Sequence, residues 1–442
     1  MAPLGWLIFL ACVGMTAILA RRLSGPGPSV ALGAALLFAS FPALGWAGEL
    51  AHPVSHDSSM AFLLLALILA VRSLERGGIL SALGCGVCVF LDSISDPWAV
   101  IALDLPLLVV CLFIAFEGWR TRRGLCAALI AGASVLAFVA IRTHLFGVLR
   151  AVARLKPYFT DISGLESNLR WVGLALTDMF NVIPGADTAK PGIEAIDLVL
   201  LAALVLPVMA YSAIRFRRAP AGRQLVYGVA LLSIVGVAVL FLVQKWPEGE
   251  YVGRYFANLY FLGGLLVALA AVDMWSKRRP WICAMVCGYA ALFALGGLAS
   301  RPGLWMGHEP LQSGAQARAL AAKLEAHGLT YGYGAYWGAE APAIQWVSGG
   351  RVIVRPISFR SGKVTRKGFQ DSSFWYQPAD ARGAPRRFIV VVADAEECPS
   401  EARCLAMALS QFGLPAERFA VENGEVLVWD RSLLGQFGAL RP

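Results

Sequence analysis

The residues able to do chemistry are concentrated in a few short polar stretches of this 442-residue chain. In the run Gly48-Glu49-Leu50-Ala51-His52-Pro53-Val54-Ser55-His56-Asp57, two carboxylates and two imidazoles stand close together. On a helix His52 and His56 would share a face, and with Glu49 they form a candidate site for a divalent metal ion. Pro53 opposes a regular helix across that pair. Imidazoles titrating near neutral pH could also share proton transfer there. The plainer reading is a solvated loop in which Asp57, backed by Ser58 and Ser59, caps the next helix.

A second acidic turn is Asp92-Ser93-Ile94-Ser95-Asp96-Pro97, where Asp96 before Pro97 also reads as a helix start. Asp104 lies deeper, roughly 10 Å into the apolar run that follows, at about 1.5 Å per helical residue. A carboxylate at that depth is costly unless it faces a cavity or a partner, so it is a candidate functional residue; a hydrogen bond to a neighbouring helix is the alternative. Farther along, Arg254 offers a planar fork for phosphate oxygens and Lys245 a compact positive charge. Tyr255, with Trp246 and Tyr251, has the character of an interfacial aromatic. Arg150 and Arg154 stand one helical turn apart, with Lys156 and Arg170 nearby. An anionic ligand would explain these cations, as would lipid headgroups.

The elements that must position these residues are apolar. The chain is 58% apolar and 15% charged, against about 25% charged in ordinary soluble domains. This excludes a soluble enzyme, a disordered chain and a fibrous protein. About ten spans are expected, at 4–20, 28–45, 58–73, 79–92, 97–116, 124–142, 196–213, 224–244, 256–274 and 281–298. The net charge of +9 does not point to nucleic acid, because the basic residues cluster between apolar runs. Arg21-Arg22, Arg72 with Arg76, Arg120 with Arg122-Arg123, Arg215 with Arg217-Arg218 and Arg223, and Lys277-Arg278-Arg279 all fall on one side, which the positive-inside bias makes cytoplasmic. The loops at 45–57, 92–97, 143–195 and 244–255, and the chain beyond 300, are then outside. The first apolar run lacks a basic stretch before it and is followed by Arg21-Arg22, so it reads as a retained helix instead of a cleaved signal.

Residues 1–300 are thus expected to form a transmembrane domain and 301–442 a small outer α/β domain. In the latter, helices are expected at 315–327 and 401–412, and strands at 351–356, 388–393 and 425–429. Of nine cysteines, seven lie in or beside apolar spans as small hydrophobes. Cys398 and Cys404 lie in the outer domain, where an oxidising compartment would let them pair.

In its order of motifs the chain resembles the GT-C class of integral-membrane glycosyltransferases, and within it the bacterial relatives of protein mannosyltransferases and aminoarabinose transferases. The resemblance rests on Arg21-Arg22-Leu23-Ser24-Gly25 followed by the run at 34–42, and on Asp57 opening a Leu- and Ala-rich span. It rests further on the glycine-rich hairpin at 84–106, on Gly253-Arg254-Tyr255-Phe256, and on the segment 331–344 with its Tyr-Gly-Ala-Tyr-Trp. It implies a GT-C-like bundle in the bacterial inner membrane, with the terminal domain in the periplasm. It also implies a polyprenyl-phosphate sugar as donor, with its phosphate held by Arg254, Tyr255, Lys245, Arg150 and Arg154. Asp57, Glu49, Asp92 and Asp96 are the candidates for base or metal ligand, with His56 and His52 sharing the proton work. A divalent metal ion is the only cofactor implied, and membrane lipids are the remaining partners. The first span matches the family's second, so the resemblance leaves two expectations open for the family's first helix and its acidic loop: either the start codon is assigned too late, or this protein lacks the usual catalytic carboxylate. The acceptor, a lipid, a glycan or a protein, is left open. Two other readings remain: a non-catalytic relative of the same shape, and a transporter or flippase of an anionic lipid or glycan with Asp104 along its route. Transporters often show an internal repeat, and none is visible here.

Overall fold

The computed structural model describes residues 2–24, 56–96, 98–142, 159–180, 191–244, 256–285, 287–288, 291 and 309–437, the last stretch apart from 337–338, 340, 361, 368–372, 377–383, 394–397, 399 and 423. These residues fall into two compact units, one helical up to residue 291 and one built on a sheet from residue 309.

The helical unit contains α1 (Ala2–Ser24), α2 (His56–Arg76), α3 (Ile79–Ser95), a π-helical turn (Val100–Asp104) continued by α4 (Leu105–Glu117), α5 (Arg122–Arg142), α6 (Ile162–Phe180), α7 (Pro191–Phe216), α8 (Ala221–Val243) and α9 (Ala257–Ser276). Among the described residues seven helical stretches are long and apolar enough to cross a membrane: α1, α2, the π turn with α4, α5, α7, α8 and α9. This is consistent with a polytopic membrane protein. α3 is apolar but shorter. The span expected at 28–45 lies outside the described residues, and that at 281–298 is described only in part.

Helix extends into three of the expected loops. Most of 92–97 is helix, because the short polar side chains there bond back to the helix they extend. Ser93 and Ser95 donate to the carbonyls of Val89 and Leu91 at 2.8 and 2.9 Å, and the Asp96 N–H reaches the Asp92 carbonyl at 2.8 Å. The segment 143–195 contains α6 and the first turn of α7, which opens on Pro191, a residue suited to a helix start. At the end of 45–57, His56 and Asp57 already belong to the first turn of α2.

The π-helical turn has a local cause. Pro106 has no N–H to give the carbonyl four residues back, and its ring crowds that turn. Just ahead of it the backbone widens, and the Leu105 N–H bonds to the Val100 carbonyl five residues back. α6 is fastened to α8 by Asn168, whose buried amide donates to the carbonyls of Phe241, Leu242 and Gln244 at 3.3, 2.8 and 2.7 Å. Those carbonyls belong to the last turn of α8, where no helical N–H remains to serve them. α9 is the most enclosed span, with 94% of it buried. Gly263, Gly264, Ala268, Ala270 and Ala271 keep its surface slim enough for close packing.

The sheet unit adds α10 (Glu309–Ala326), β1 (Tyr331–Ala335), α11 (Ala341–Val347), β2 (Ile353–Arg360), β3 (Lys363–Arg366), β4 (Arg387–Val392), α12 (Glu401–Phe412), β5 (Glu417–Val421) and β6 (Gly424–Trp429). The strand order is β3-β2-β1-β4-β6-β5. β1 runs parallel to β2 and β4, with Tyr333 opposite Arg355 and Ile389, while β3, β6 and β5 pair antiparallel. One face packs Tyr331, Tyr333, Ile357, Ile389 and Leu427 against Cys404, Met407 and Phe412 of α12. The other packs Val354, Phe388, Val390 and Val428 against Ala317, Ala321 and Leu324 of α10 and Ile344 of α11. With both faces covered, the central strands are buried throughout, which is why β4 reads as an unbroken apolar run.

The helix expected at 401–412 has those bounds. The one expected at 315–327 begins earlier, at Glu309, and the strand expected at 351–356 runs from Ile353 to Arg360. β1 lies outside the strands expected from the sequence, and two of its five residues are glycines. In the fold they are required: a Cβ at Gly332 would stand 2.5 Å from the Phe388 carbonyl oxygen.

Candidate functional site

Where α2, α3 and the π turn meet, two carboxylates are buried, each held by a serine hydroxyl. Ser59 on α2 donates to Asp92 on α3 at 2.5 Å. The next residue, Ser93, donates to Asp104 at the end of the π turn. Asp92 is fully buried and Asp104, Ser59 and Ser93 nearly so. Each carboxylate keeps one oxygen, Oδ2 of Asp92 and Oδ1 of Asp104, with no hydrogen-bond partner among the described residues. Buried carboxylates with open lone pairs are expensive inside an apolar bundle and mark a functional site by default. Chemically the pair can accept protons from a hydroxyl or hold a cation.

The local folding that aims Asp104 here is the π turn, a feature common at functional positions in helices. Asp96 has a different job: its carboxylate accepts the Trp98 N–H at 2.9 Å and so starts the helical stretch after Pro97. Asp92, expected in an acidic outer turn, lies instead within α3 and is buried, because the helix continues past it. Of the other candidates, Glu49, His52, Arg150, Arg154, Lys245, Arg254 and Tyr255 lie outside the described residues. For His56 and Asp57 the helical backbone is described and the side chains are not. Among the described residues no three His, Cys, Asp or Glu side chains gather as a metal site. Cys398 and Cys404, the latter on α12, form a disulfide buried in the sheet unit.

Sequence reasoning missed a second polar cluster, at the end of the helical unit where the basic residues collect. Asp273 of α9 pairs with Arg223 at 2.6 Å and Arg215 at 3.8 Å, and accepts from the Tyr211 hydroxyl at 3.0 Å. Lys277 donates to that hydroxyl at 3.2 Å, and Arg223 also donates to the Leu23 carbonyl of α1 at 2.5 Å. Arg22 pairs with Glu75 at 2.7 Å. Arginines read purely as orientation signals therefore also tie α1, α2, α7, α8 and α9 together. The signal was there in a single acidic residue one turn before Lys277-Arg278-Arg279. Asn258 of α9, buried with its amide on Ser233 of α8 at 3.1 Å, was likewise visible as a lone amide in an apolar run.

Compared with known proteins, the chain matches no family model and no curated protein.

Proposed function

We propose that the chain is a glycosyltransferase of GT-C type that moves a sugar from a polyprenyl-phosphate donor to a hydroxyl acceptor at the outer face of the bacterial inner membrane. The observation carrying this reading is the Asp92–Asp104 pair, two buried carboxylates with open oxygens at the end of the bundle away from the basic clusters. The positive-inside bias puts that end outside, where a lipid-linked donor presents its phosphate, and it puts the sheet unit in the periplasm. The motif order of the sequence supports the same reading.

In the proposed step one of these carboxylates takes the proton of the acceptor hydroxyl. The oxygen attacks the anomeric carbon, the bond from that carbon to the phosphate oxygen breaks, and polyprenyl phosphate leaves with the electron pair. Positive charge is needed beside the leaving group, and Arg254, Lys245, Arg150 and Arg154 are its candidates. Asp57, at the head of the helix that carries Ser59, is the further candidate base.

The test uses purified protein, a lipid-linked sugar and an acceptor extract. Asp104→Asn and Asp92→Asn keep the side-chain shape, so donor binding should survive while transfer falls about 10²–10⁴-fold, the usual worth of a positioned base. Wild-type transfer in Asp104→Asn, Asp92→Asn and Asp57→Asn alike would overturn the assignment. Carboxylates this deep in spanning helices also suit a transporter, and that reading predicts movement of an intact lipid-linked glycan across vesicles without cleavage. Binding with neither transfer nor movement would mark a non-catalytic relative.

A further inference from the structure

On the α12 face of the sheet the Tyr331 ring is approached by two guanidinium groups. The Cζ of Arg387 is 5.4 Å from the ring centroid and that of Arg355 is 6.0 Å away. Arg355 also lies 4.7 Å over the Trp375 ring, and its Nη1 donates to Gln345 at 3.3 Å. The Tyr331 hydroxyl donates to the Trp375 main-chain carbonyl at 2.6 Å, which ties the Tyr331 side chain to the backbone at Trp375. Both arginines are more than nine-tenths buried, at 8% and 6% exposure for Arg355 and Arg387.

Arg387 stands out by what surrounds it. Its Nη1 donates to the carbonyls of Ala384 and Arg386. Its Nε is buried and has no acceptor among the described residues, and among them no carboxylate pairs with it. The adjacent Arg386 bonds both Glu417 and Asp430, so acids are available one residue away and are not spent on Arg387. An arginine keeps its charge at any ordinary pH. A buried charge with neither a counter-charge nor a full set of acceptors is strongly unfavourable, and stacking on a ring only partly offsets this.

We propose that the Arg387–Tyr331–Arg355–Trp375 cluster is a binding site for a ligand bearing an oxyanion, a phosphate or a carboxylate. The anion completes the open edge of Arg387, with Arg355 adding a second positive charge. The Tyr331 and Trp375 rings face the apolar or planar part of the molecule that carries the anion. Arginine suits this task through its fork, which meets two oxygens of one anion at once. The site is independent of the transfer reaction proposed above, and its test needs no donor or acceptor.

The full-length protein in detergent is titrated with inorganic phosphate and with acetate, each against chloride at equal ionic strength. Thermal unfolding and calorimetry are the readouts. A saturable response to phosphate or to acetate, absent with chloride, is expected, and the anion that produces it identifies the group the site takes. Arg387→Gln should abolish the response, Arg387→Lys should weaken it by about tenfold because the fork is lost, and the exposed Arg403→Gln should leave it unchanged. The proposal is overturned if the wild-type protein shows no saturable response to either anion, which would mean that the chain supplies the counter-charge itself. It is also overturned if Arg387→Lys retains wild-type affinity. That variant preserves the charge on a flexible aliphatic stem, so it decides the matter even where Arg387→Gln fails to fold.

Discussion

The buried carboxylates of this molecule differ in how far the sequence betrays them. Asp104 is legible because it is a lone carboxylate in an apolar run, whereas the sequence around Asp92 reads as an acidic outer turn. The difference is that burial of Asp92 depends on α3 continuing through Ser95, and serines extend or end helices depending on where their hydroxyls bond. Not legible at all was the cluster His327–Glu417–Arg386–Asp430 in the sheet unit, whose members lie far apart in sequence and meet through the fold. Its geometry makes a testable pH dependence. Glu417 accepts from Arg386 and contacts His327 at 2.6 Å, and these partners, Arg386 first, hold its carboxyl below the ordinary value of 4.5. A depressed carboxylate stabilises the fold above its ordinary range and loses that contribution as pH falls through its own lowered value. The unfolding midpoint of the sheet unit should therefore hold steady from neutral pH down to about that range and then fall. Glu417→Gln should lower the neutral-pH midpoint and shrink the acid fall. An acid limb of the same size in the variant would count against the role assigned to Glu417.

Among the elements, those with a single clear period were read well and those bent by one residue were not. α12 follows from its amphipathic pattern behind Ser400, and β4 from its unbroken apolar run. α6 was lost in a presumed loop because Glu166, Asn168 and Arg170 lower its hydropathy, although the same Asn168 is what docks it on α8. The π turn was unreadable because a widened turn leaves no trace in periodicity, and only Pro106 hints at it. β1, with two glycines among five residues, carries little strand signal in the sequence, and there the structure predicts a measurable cost. Gly332→Ala would put a methyl group against the Phe388 ring and backbone, and such overpacking typically costs about 1–3 kcal/mol. Gly435→Ala, with nothing within 4 Å, should be close to neutral. Equal denaturation midpoints for the two variants and wild type would contradict the tight β1–β4 approach.

For the molecule as a whole, the apolar runs and basic clusters made its membrane character legible, and the drop in hydropathy after residue 300 exposed the second unit. The pairing of distant polar residues was out of reach, since nothing local marks which arginine of a basic cluster turns inward to Asp273. The side of the membrane on which the sheet unit lies can be read from its disulfide. In a chain whose other cysteines are replaced by alanine, an impermeant maleimide applied to intact cells should leave Cys398 and Cys404 unlabelled. An impermeant reductant should then expose both. Labelling without reductant would refute the pairing in cells, and labelling only after lysis would place the unit on the cytoplasmic side.

The near-complete enclosure of α9 also bears on how the protein is made. α9 leaves the ribosome after α1, α2, α7 and α8, yet its small-residue surface has almost no side left for lipid. Its neighbours must therefore spend part of biogenesis with an open seam in the bilayer. In that interval Arg223 and Arg215 wait for Asp273, and Ser233 waits for Asn258. Insertion of α9 is thus the step that brings Asp273 to these half-buried arginines. A chain halted before residue 257 would leave those arginines without that carboxylate, a state a membrane quality-control protease could recognise.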